Sequence, residues 1–195
     1  MKLGEIADIR TGLVLTRKKA AMKYQIQNTY KLITLKNIED NGEFNDEPFE
    51  SFESNDELSK EYFTKEGDIL IKLSAPFTTI CIDDKSAGLL VPSYFSIIRL
   101  KKPNYIPGYI TWYLNSDKVK RELIRRQTGT VMSNTNNTIL SSIKIKELPL
   151  EDQEKIAQVR ELYLRERNLL RSLFREKEIF YKGITDKLIN MNGEG

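Results

Sequence analysis

The sequence of 195 residues contains no histidine and a single cysteine, Cys81. Nucleophilic sites of the Ser-His-Asp or Cys-His kind need an imidazole base, and zinc sites of the Cys/His kind need several such ligands. Both kinds of site are therefore excluded. Cys81 lies in the apolar run Ile80-Cys81-Ile82, which predicts a buried, unreactive thiol in a reducing compartment.

The sequence also lacks a long hydrophobic run and a strong excess of one charge. No apolar run approaches the ~20 residues that span a membrane, and Met1–Glu5 lacks the basic-then-apolar pattern of a secretory signal. We therefore expect a soluble, cytoplasmic protein with no membrane partner. The 31 basic and 28 acidic residues give a net charge of +3. That charge is too small to indicate nucleic-acid binding, so any DNA-binding surface must come from local clusters.

Familiar catalytic motifs are absent as well. The sequence has no Gly-x-Gly-x-x-Gly, no Walker-type loop and no Asp/Asn-Pro-Pro-Tyr/Phe segment of an amino-methyltransferase. Asp68 with Lys72, or Asp83-Asp84-Lys85, can be aligned with the carboxylate-lysine pattern of a metal nuclease, but only with loose spacing. We predict no catalytic residue, no metal site and no cofactor. An enzyme with a cryptic carboxylate site stays open as an alternative.

What the sequence does contain is one long helix pattern, from about Glu151 to Asn190. Apolar residues recur there at helical spacing among charged ones, without proline and with Gly183 as the only glycine. Such a helix is roughly 60 Å long, more than a domain of this size is wide, so we expect a partner. The alternative is a helix folded back on its own domain. The predicted partner is a second chain in an antiparallel coiled coil, with a seam formed by Ile156, Val159, Tyr163, Leu170, Leu173, Phe180 and Ile184.

The first three quarters of the chain predict a β-rich α+β domain. Strand patterns cover 30–35, 69–73, 78–83 and 88–100, and an acidic, irregular stretch covers 44–60. Helical spacing covers 104–126, and apolar alternation returns at 139–145. The predicted organisation is a domain over residues 1–147 followed by a helical segment over 148–195.

Several segments match a known pattern in their order along the chain. They are Leu3–Gly12, Tyr30–Ile38, Lys65–Ile71, Tyr109–Leu114, Gly129-Thr130 and Ile143–Ala157, the last with its Leu-Pro-Leu-Glu-Asp-Gln junction. Over essentially its whole length the chain resembles a target-recognition domain and its following helix from the specificity subunit of type I restriction-modification systems. Subunits of that family usually carry two such domains and two long helices, so this chain looks like a half-subunit. It departs from the family at Lys146-Glu147 and at Ser93-Tyr94, where an Asn-Gln pair is common.

The resemblance implies a function without chemistry of its own. Such a domain reads one half of a bipartite target in double-stranded DNA, and the helices set the distance between the halves. The subunit docks adenine-N6 methyltransferase (modification) subunits, which use S-adenosylmethionine, and through them the restriction subunit. The pairing partner is an identical chain or a second half-subunit. A non-enzymatic protein-interaction adaptor, whose β-rich domain binds a protein surface, is the alternative.

Candidate DNA contacts are chosen by side-chain chemistry. Arg and Lys bind phosphates or guanine, and Asn and Gln can form hydrogen bonds with adenine. Hydroxyl groups can contact phosphates or base edges. The basic cluster 17–19 is the favoured site, and a second basic stretch at 118–126 could face either DNA or solvent. The candidates are Arg10, Arg17, Lys18, Lys19, Lys23, Tyr24, Lys36, Asn37, Lys72, Ser74, Tyr94, Gln127, Thr130, Ser133 and Asn134.

Overall fold

A computed structural model describes residues 1–127 and 135–191 of the chain. The chain divides into two compact units, Met1–Ile156 and Ala157–Gly195. The predicted division into a domain over 1–147 and a helical segment over 148–195 stays a prediction.

The first unit contains short helices and strands before one long helix begins. The strands are β1 (Ala7–Thr11), β2 (Asn28–Leu32), β3 (Glu50–Ser54), β4 (Ile69–Lys72), β5 (Thr79–Cys81) and β6 (Phe95–Leu100). The helices are α1 (Leu3–Ile6), α2 (Pro107–Leu114), α3 (Asp117–Gln127), α4 (Asn137–Ser141) and α5 (Leu150–Met191).

The central sheet has the strand order β1-β6-β4-β5, with antiparallel pairing throughout. Thr11 pairs with Ser96, and Lys72 pairs with Phe95. Because β6 is antiparallel to both neighbours, the carboxyl ends of β1 and β4 lie beside the amino end of β6. The segments after β1, after β4 and before β6 therefore meet at the same end of the sheet.

Both faces of this sheet are covered, which explains why the apolar run of β4 is buried completely. Successive side chains of a strand point to opposite faces. Ile69 and Ile71 accordingly join the core formed with helices α1 to α4, whereas Leu70 joins Ile33, Phe95 and other residues in a second core.

Strands β2 and β3 form a separate two-stranded sheet with Tyr30 opposite Phe52. A third apolar cluster, which includes Leu13, Leu32 and Leu90, packs against it. The ring of Tyr30 lies 5.1 Å from that of Phe63 between centroids. The two-stranded sheet therefore packs against Leu13, in the chain that follows β1.

Helix α5 begins with a buried glutamine that is part of the Leu-Pro-Leu-Glu-Asp-Gln junction. Gln153 is 1% exposed. Its Oε1 accepts a hydrogen bond from Ile106 N at 3.1 Å, and its Nε2 donates to Asn104 O at 3.0 Å and Leu148 O at 2.9 Å. The first turns of α5 are therefore bonded into the first unit, and Ile156 packs against the core there.

The described part of the second unit is the rest of α5, from Ala157 to Met191. The whole helix has 42 residues and so a length of about 63 Å. Its apolar side chains from Val159 to Ile189 are largely exposed, with the exception of Leu164. Within the described part of the chain, no helix is long and apolar enough to cross a membrane.

The predicted fold class, a β-rich α+β domain followed by a long helix, is confirmed. The strand at 69–73 and the helix at 151–190 are confirmed nearly to the residue. The segment 104–126 is helical but is divided into α2 and α3, with a break at Asn115-Ser116.

Other local predictions were wrong. The irregular stretch 44–60 contains β3, a strand with a single apolar residue, Phe52, that pairs with β2. The stretch 139–145 begins inside α4, whose first turn is capped by Asn136 Oδ1 accepting from Ile139 N at 3.0 Å. Only 95–100 of the stretch 88–100 is a strand. Cys81 ends an edge strand and is partly exposed rather than buried.

Candidate nucleic-acid interface

Polar side chains gather where the three segments leave the central sheet. We name this region the strand-end surface and define it by Thr11, Ser74, Tyr94 and Asn137; Ser96, to which Asn137 is bonded, is fully buried. Leu73 N donates to Tyr94 O at 3.0 Å and so joins the chain after β4 to the chain before β6. Ser74 and Tyr94, both predicted candidates, therefore lie on neighbouring segments.

Asn137 ties α4 to this surface. Its Oδ1 accepts a hydrogen bond from Ser96 Oγ at 2.6 Å, and its Nδ2 donates to Thr11 Oγ1 at 3.1 Å. Thr135 N donates to Leu73 O at 2.8 Å. Thr135, where the described chain resumes, is therefore bonded beside the strand-end surface. Thr130, Ser133 and Asn134 lie outside the described residues, as does the side chain of Gln127.

Thr11, Ser96 and Asn137 were not among the sequence candidates. Thr11 sits at a turn signal, and Asn137 belongs to the polar stretch 127–138 that supplied other candidates. Neither residue has a charge or a periodicity that distinguishes it from ordinary turn chemistry. The antiparallel register places Thr11 opposite Ser96, and the side chain of Asn137 in α4 bonds to both.

Lys72 and Asn37 are buried and bonded to main-chain atoms. Lys72 Nζ donates to Ile38 O at 2.7 Å, and burial lowers the pKa of this ammonium group. The amide oxygen of Asn37 accepts from Thr34 N at 2.8 Å, and its nitrogen donates to Glu47 O at 3.0 Å. Both side chains therefore hold the segment 34–48 in place.

Two further candidates lie near that segment. The hydroxyl of Tyr94 donates to Ile33 O at 3.3 Å, and burial raises the pKa of this half-buried phenol. Lys36 is exposed, with its Nζ 4.0 Å from a carboxylate oxygen of Glu50. The segment 33–38 is thus joined to the strand-end surface through Tyr94 and Lys72.

The predicted basic cluster belongs to a second group, which we name the basic segment, residues 14–25. It contains two 3₁₀ turns, Leu15–Arg17 and Lys23–Gln25. Ala20 N donates to Glu53 O at 3.0 Å, and Ser54 Oγ donates to Lys18 O at 3.1 Å. The segment is therefore bonded along the edge of β3.

The cations of the basic segment differ in how they are paired. Lys18 Nζ lies 2.5 Å from Asp56 Oδ2, and the hydrogen bond and charge of this lysine lower the pKa of the Asp56 carboxyl. Arg17, Lys19 and Lys23 are exposed and form no ion pair with any residue in 1–127 or 135–191. Together with Tyr24, which is 80% exposed, they present three charges and one aromatic ring to solvent.

Arg10 and Gly12 flank Thr11 of the strand-end surface. Arg10 Nη1 donates to a carboxylate oxygen of Glu61 in an exposed ion pair. A Cβ atom at Gly12 would lie 2.3 Å from Pro92 O and 2.4 Å from Val91 O. Only glycine fits such a close approach of two backbones. Gly12 therefore lets the chain pass from the strand-end surface to the basic segment.

The structure separates Asp68 from Lys72, one of the two combinations considered for a nuclease pattern. Asp68 immediately precedes β4 and accepts two hydrogen bonds from Arg99, whereas Lys72 ends the same strand. The two residues are about 13 Å apart at ~3.4 Å per residue. Within 1–127 and 135–191, no group of three or more Cys, Asp or Glu side chains is placed to hold a metal ion.

The family comparison adds to this geometry. The sequence model of the family described as "Type I restriction modification DNA specificity domain" matches residues 1–170. The comparison with curated proteins gave no match.

Three solved structures resemble the fold. One is described as the structural basis of complex assembly and conformational transition of the type I R-M system, with 17% identity and a TM-score of 0.60 over 94% of this chain and 42% of that chain. Another is the HsdS subunit from Thermoanaerobacter tengcongensis, with 16% identity and a TM-score of 0.57 over 88% and 38%. The type I system S subunit from M. genitalium shows 11% identity and a TM-score of 0.54 over 92% and 42%. The chain thus spans about two fifths of each.

The resemblance seen in the sequence is confirmed by the family match, which covers residues 1–170 of 195. Because the identities to the solved structures are low, these likenesses show the fold alone. The family description also confirms the predicted DNA-specificity role. The chain belongs to the family of type I restriction modification DNA specificity domains.

Proposed function

We propose that this chain reads one half of a bipartite DNA target as a specificity subunit of a type I restriction-modification system. The observation that carries the proposal, beside the family, is the strand-end surface. There the exposed or partly exposed side chains of Thr11, Ser74, Tyr94 and Asn137 lie together at the strand ends and the start of α4. Hydroxyl and amide groups of this kind can form hydrogen bonds with base edges.

The proposed contacts divide by chemistry. Arg17, Lys19 and Lys23 bind phosphates, because their charges are exposed and unpaired within the described part of the chain. Tyr24 adds an aromatic ring beside them, and Lys36 contributes a further exposed charge. Base contacts come from the strand-end surface and from Gln127, Thr130, Ser133 and Asn134.

Four of the sequence candidates have a supporting role in this proposal. Lys18 and Arg10 are already paired with carboxylates, which weakens their attraction for phosphates. Lys72 and Asn37 are buried, and their polar atoms are bonded to the main chain of 34–48. These four residues shape the surface that other side chains present.

Helix α5 is proposed to pair in an antiparallel coiled coil. Leu170 and Leu173 of the predicted seam are 59% and 52% exposed, and Val159, Tyr163, Phe180 and Ile184 are exposed as well. A row of apolar side chains at heptad spacing gains stability when a second helix covers it. The partner is an identical chain or a second half-subunit, and a two-fold pair would carry two DNA-reading domains.

The remaining partners follow from the family. We propose that the paired subunit docks adenine-N6 methyltransferase subunits and, through them, a restriction subunit, in the cytoplasm. The catalytic chemistry and the S-adenosylmethionine belong to those partners.

The test is selection from a pool of random DNA duplexes, with and without methyltransferase subunits, at two salt concentrations. We expect an enriched sequence with two half-sites, inverted if the partner is identical. Affinity for a selected duplex should fall steeply with salt, because phosphate contacts release counterions. No enriched sequence under either condition would contradict the proposal and favour the protein-interaction adaptor.

A further inference from the structure

A second basic surface lies outside the proposed DNA contacts, in a groove of about 490 Å³ between α3 and residues 142–146. Its charged residues are Lys118, Glu122, Arg126, Lys144 and Lys146. Four cations and one acid give the groove a charge of +3. The groove and the basic segment are thus two local clusters of positive charge.

One of these cations is fixed and the others are available. Arg126 Nη1 donates to Ser142 Oγ at 2.7 Å, and Arg126 Nη2 lies 2.5 Å from Glu122 Oε1. Lys118, Lys144 and Lys146 are exposed and form no ion pair with any described residue. The groove thus presents three unpaired ammonium groups beside an arginine that is held in place.

The backbone sets the spacing of two of the lysines. Ile143 and Ile145 are buried, whereas Lys144 and Lys146 are exposed. Alternate residues of an extended chain point to the same side and lie about 6.6–6.8 Å apart. The two ammonium groups therefore match carboxylates at alternate positions of an extended peptide.

The position of the groove separates it from the strand-end surface. Residues 137–147 run alongside the first residues of the chain in the opposite direction. The side chain of Asn137 contacts Thr11, and Leu3 N donates to Ile143 O at 2.9 Å. The backbones of Lys2 and Lys144 form an antiparallel β-bridge. Strand β1, from Ala7 to Thr11, spans about 13 Å. The groove therefore lies level with the amino end of β1, whereas the strand-end surface lies at its carboxyl end. Among the groove's cations, only Arg126 adjoins a proposed contact, Gln127, in the sequence.

We propose that this groove binds an extended acidic segment of a partner protein, with carboxylates at alternate positions. Carboxylates are favoured over DNA phosphates because a duplex on the strand-end surface would lie at the other end of β1. Exposed ion pairs are individually weak and are screened by salt, so several carboxylates must bind together. The choice of carboxylates over phosphates rests on the proposed DNA reading, whereas the groove and its charges do not.

The test uses the full chain and fluorescence anisotropy at low salt. The probes are a labelled peptide of five Glu-Ser repeats, the matching peptide of five Gln-Ser repeats, and a labelled random-sequence DNA duplex. The variant Lys118→Gln, Lys144→Gln, Lys146→Gln removes the three charges at similar side-chain size. The control Lys31→Gln, Lys60→Gln, Lys85→Gln removes three exposed charges elsewhere, and circular dichroism verifies that both variants are folded.

We expect the chain to bind the Glu-Ser peptide and not the Gln-Ser peptide. The groove variant should bind the Glu-Ser peptide about tenfold more weakly, and the control should change affinity less than about twofold. Duplex binding by the groove variant should match that of the parent chain. Absent binding of the Glu-Ser peptide, or an equal loss in the control, would overturn the proposal. So would a loss of duplex binding in the groove variant, which would make the groove a DNA contact.

Discussion

Asp68 and Arg99 form a two-point ion pair that joins the turn before β4 to strand β6. Arg99 Nε donates to Asp68 Oδ1 at 2.7 Å, and Arg99 Nη2 donates to Oδ2 at 2.6 Å. The Asp68 side chain is 1% exposed, and its hydrogen bonds raise the pKa of the Arg99 guanidinium. Lys65 N also donates to Oδ2 at 2.8 Å. The pair thus fixes the turn at the sheet end opposite the strand-end surface.

Asp68→Asn should destabilise the first unit, because it removes a buried charge and leaves Arg99 without its partner. We expect a loss of about 3 kcal/mol in the free energy of unfolding, measured by urea denaturation. Asp8→Asn is the matched control, since it breaks the exposed ion pair between Asp8 and Lys101 and should cost less than about 0.5 kcal/mol. Equal losses in the two variants would contradict a structural role for the Asp68–Arg99 pair.

Tyr109 provides a prediction about pH. Its hydroxyl donates to Lys146 O at 2.6 Å, and burial, with smaller contributions from Tyr113 and Tyr105, raises its pKa from 10.0 to about 12. The folded state therefore favours the neutral phenol. Its contribution to stability is complete below pH 10 and is lost as the pH rises from 10 to about 12.

Tyr109→Phe removes both the hydrogen bond and the titration. At pH 8 the variant should be less stable than the parent by about 1 kcal/mol. That difference should shrink steadily above pH 10, because only the parent can lose a proton at this position. Urea denaturation followed by far-ultraviolet circular dichroism at pH 8, 10 and 11 measures it. A difference that stays constant over this range would refute the titration.

The elements that were predicted well are those whose own sequence determines them. The heptad spacing of α5 identifies a helix without reference to any other segment, and the apolar run of β4 identifies a buried strand. Strand β3 is different, because Glu50–Ser54 contains only Phe52 as an apolar residue and is defined by its pairing with β2. Long-range pairing of this kind leaves no local pattern to read.

The candidate site was predicted only in part, because local charge is visible in the sequence and long-range contacts are not. Residue type alone identified the exposed cations at Arg17 and Lys19, since charge and local clustering are visible in sequence. It could not show that Lys72 is buried against Ile38 O or that Arg10 is paired with Glu61. Those facts depend on which segments the fold brings together.

The basic segment predicts a measurable change in salt dependence. Replacing Arg17, Lys19 and Lys23 with glutamine should weaken DNA binding to all sequences alike, because phosphate contacts carry no sequence information. The slope of log affinity against log salt should become shallower by up to about 2.7, or ~0.9 for each phosphate that the variant no longer neutralises. Titrations at several salt concentrations measure the slope. An unchanged slope would place the phosphate contacts elsewhere.

A matched control for that experiment is available in the same chain. Lys31→Gln, Lys60→Gln, Lys85→Gln removes the same number of charges from exposed positions outside the basic segment. If both variants change the slope equally, the effect comes from overall charge and not from local binding of phosphates.

Pairing through α5 can be tested by introducing charged residues into the predicted seam. Leu170→Glu with Leu173→Glu places two carboxylates where the second helix should lie, and should convert the protein to a monomer. Gln158→Glu with Ser172→Glu adds the same charge at exposed positions off the seam, and should leave the mass unchanged. Sedimentation velocity distinguishes the two results. A parent chain that sediments as a monomer without a second half-subunit would exclude the identical partner.

The length of α5 should set the spacing between half-sites if two such helices pair along their length. Duplicating the heptad Leu169–Arg175 keeps the seam continuous and lengthens the helix by about 10.5 Å. At 3.4 Å per base pair, the preferred spacer should grow by about three base pairs, as read from selected duplexes. The length-neutral variant Arg171→Lys with Arg175→Lys should keep the parent spacer. If the longer helix still selects the parent spacer, the distance between the reading domains is set by something other than this helix pair.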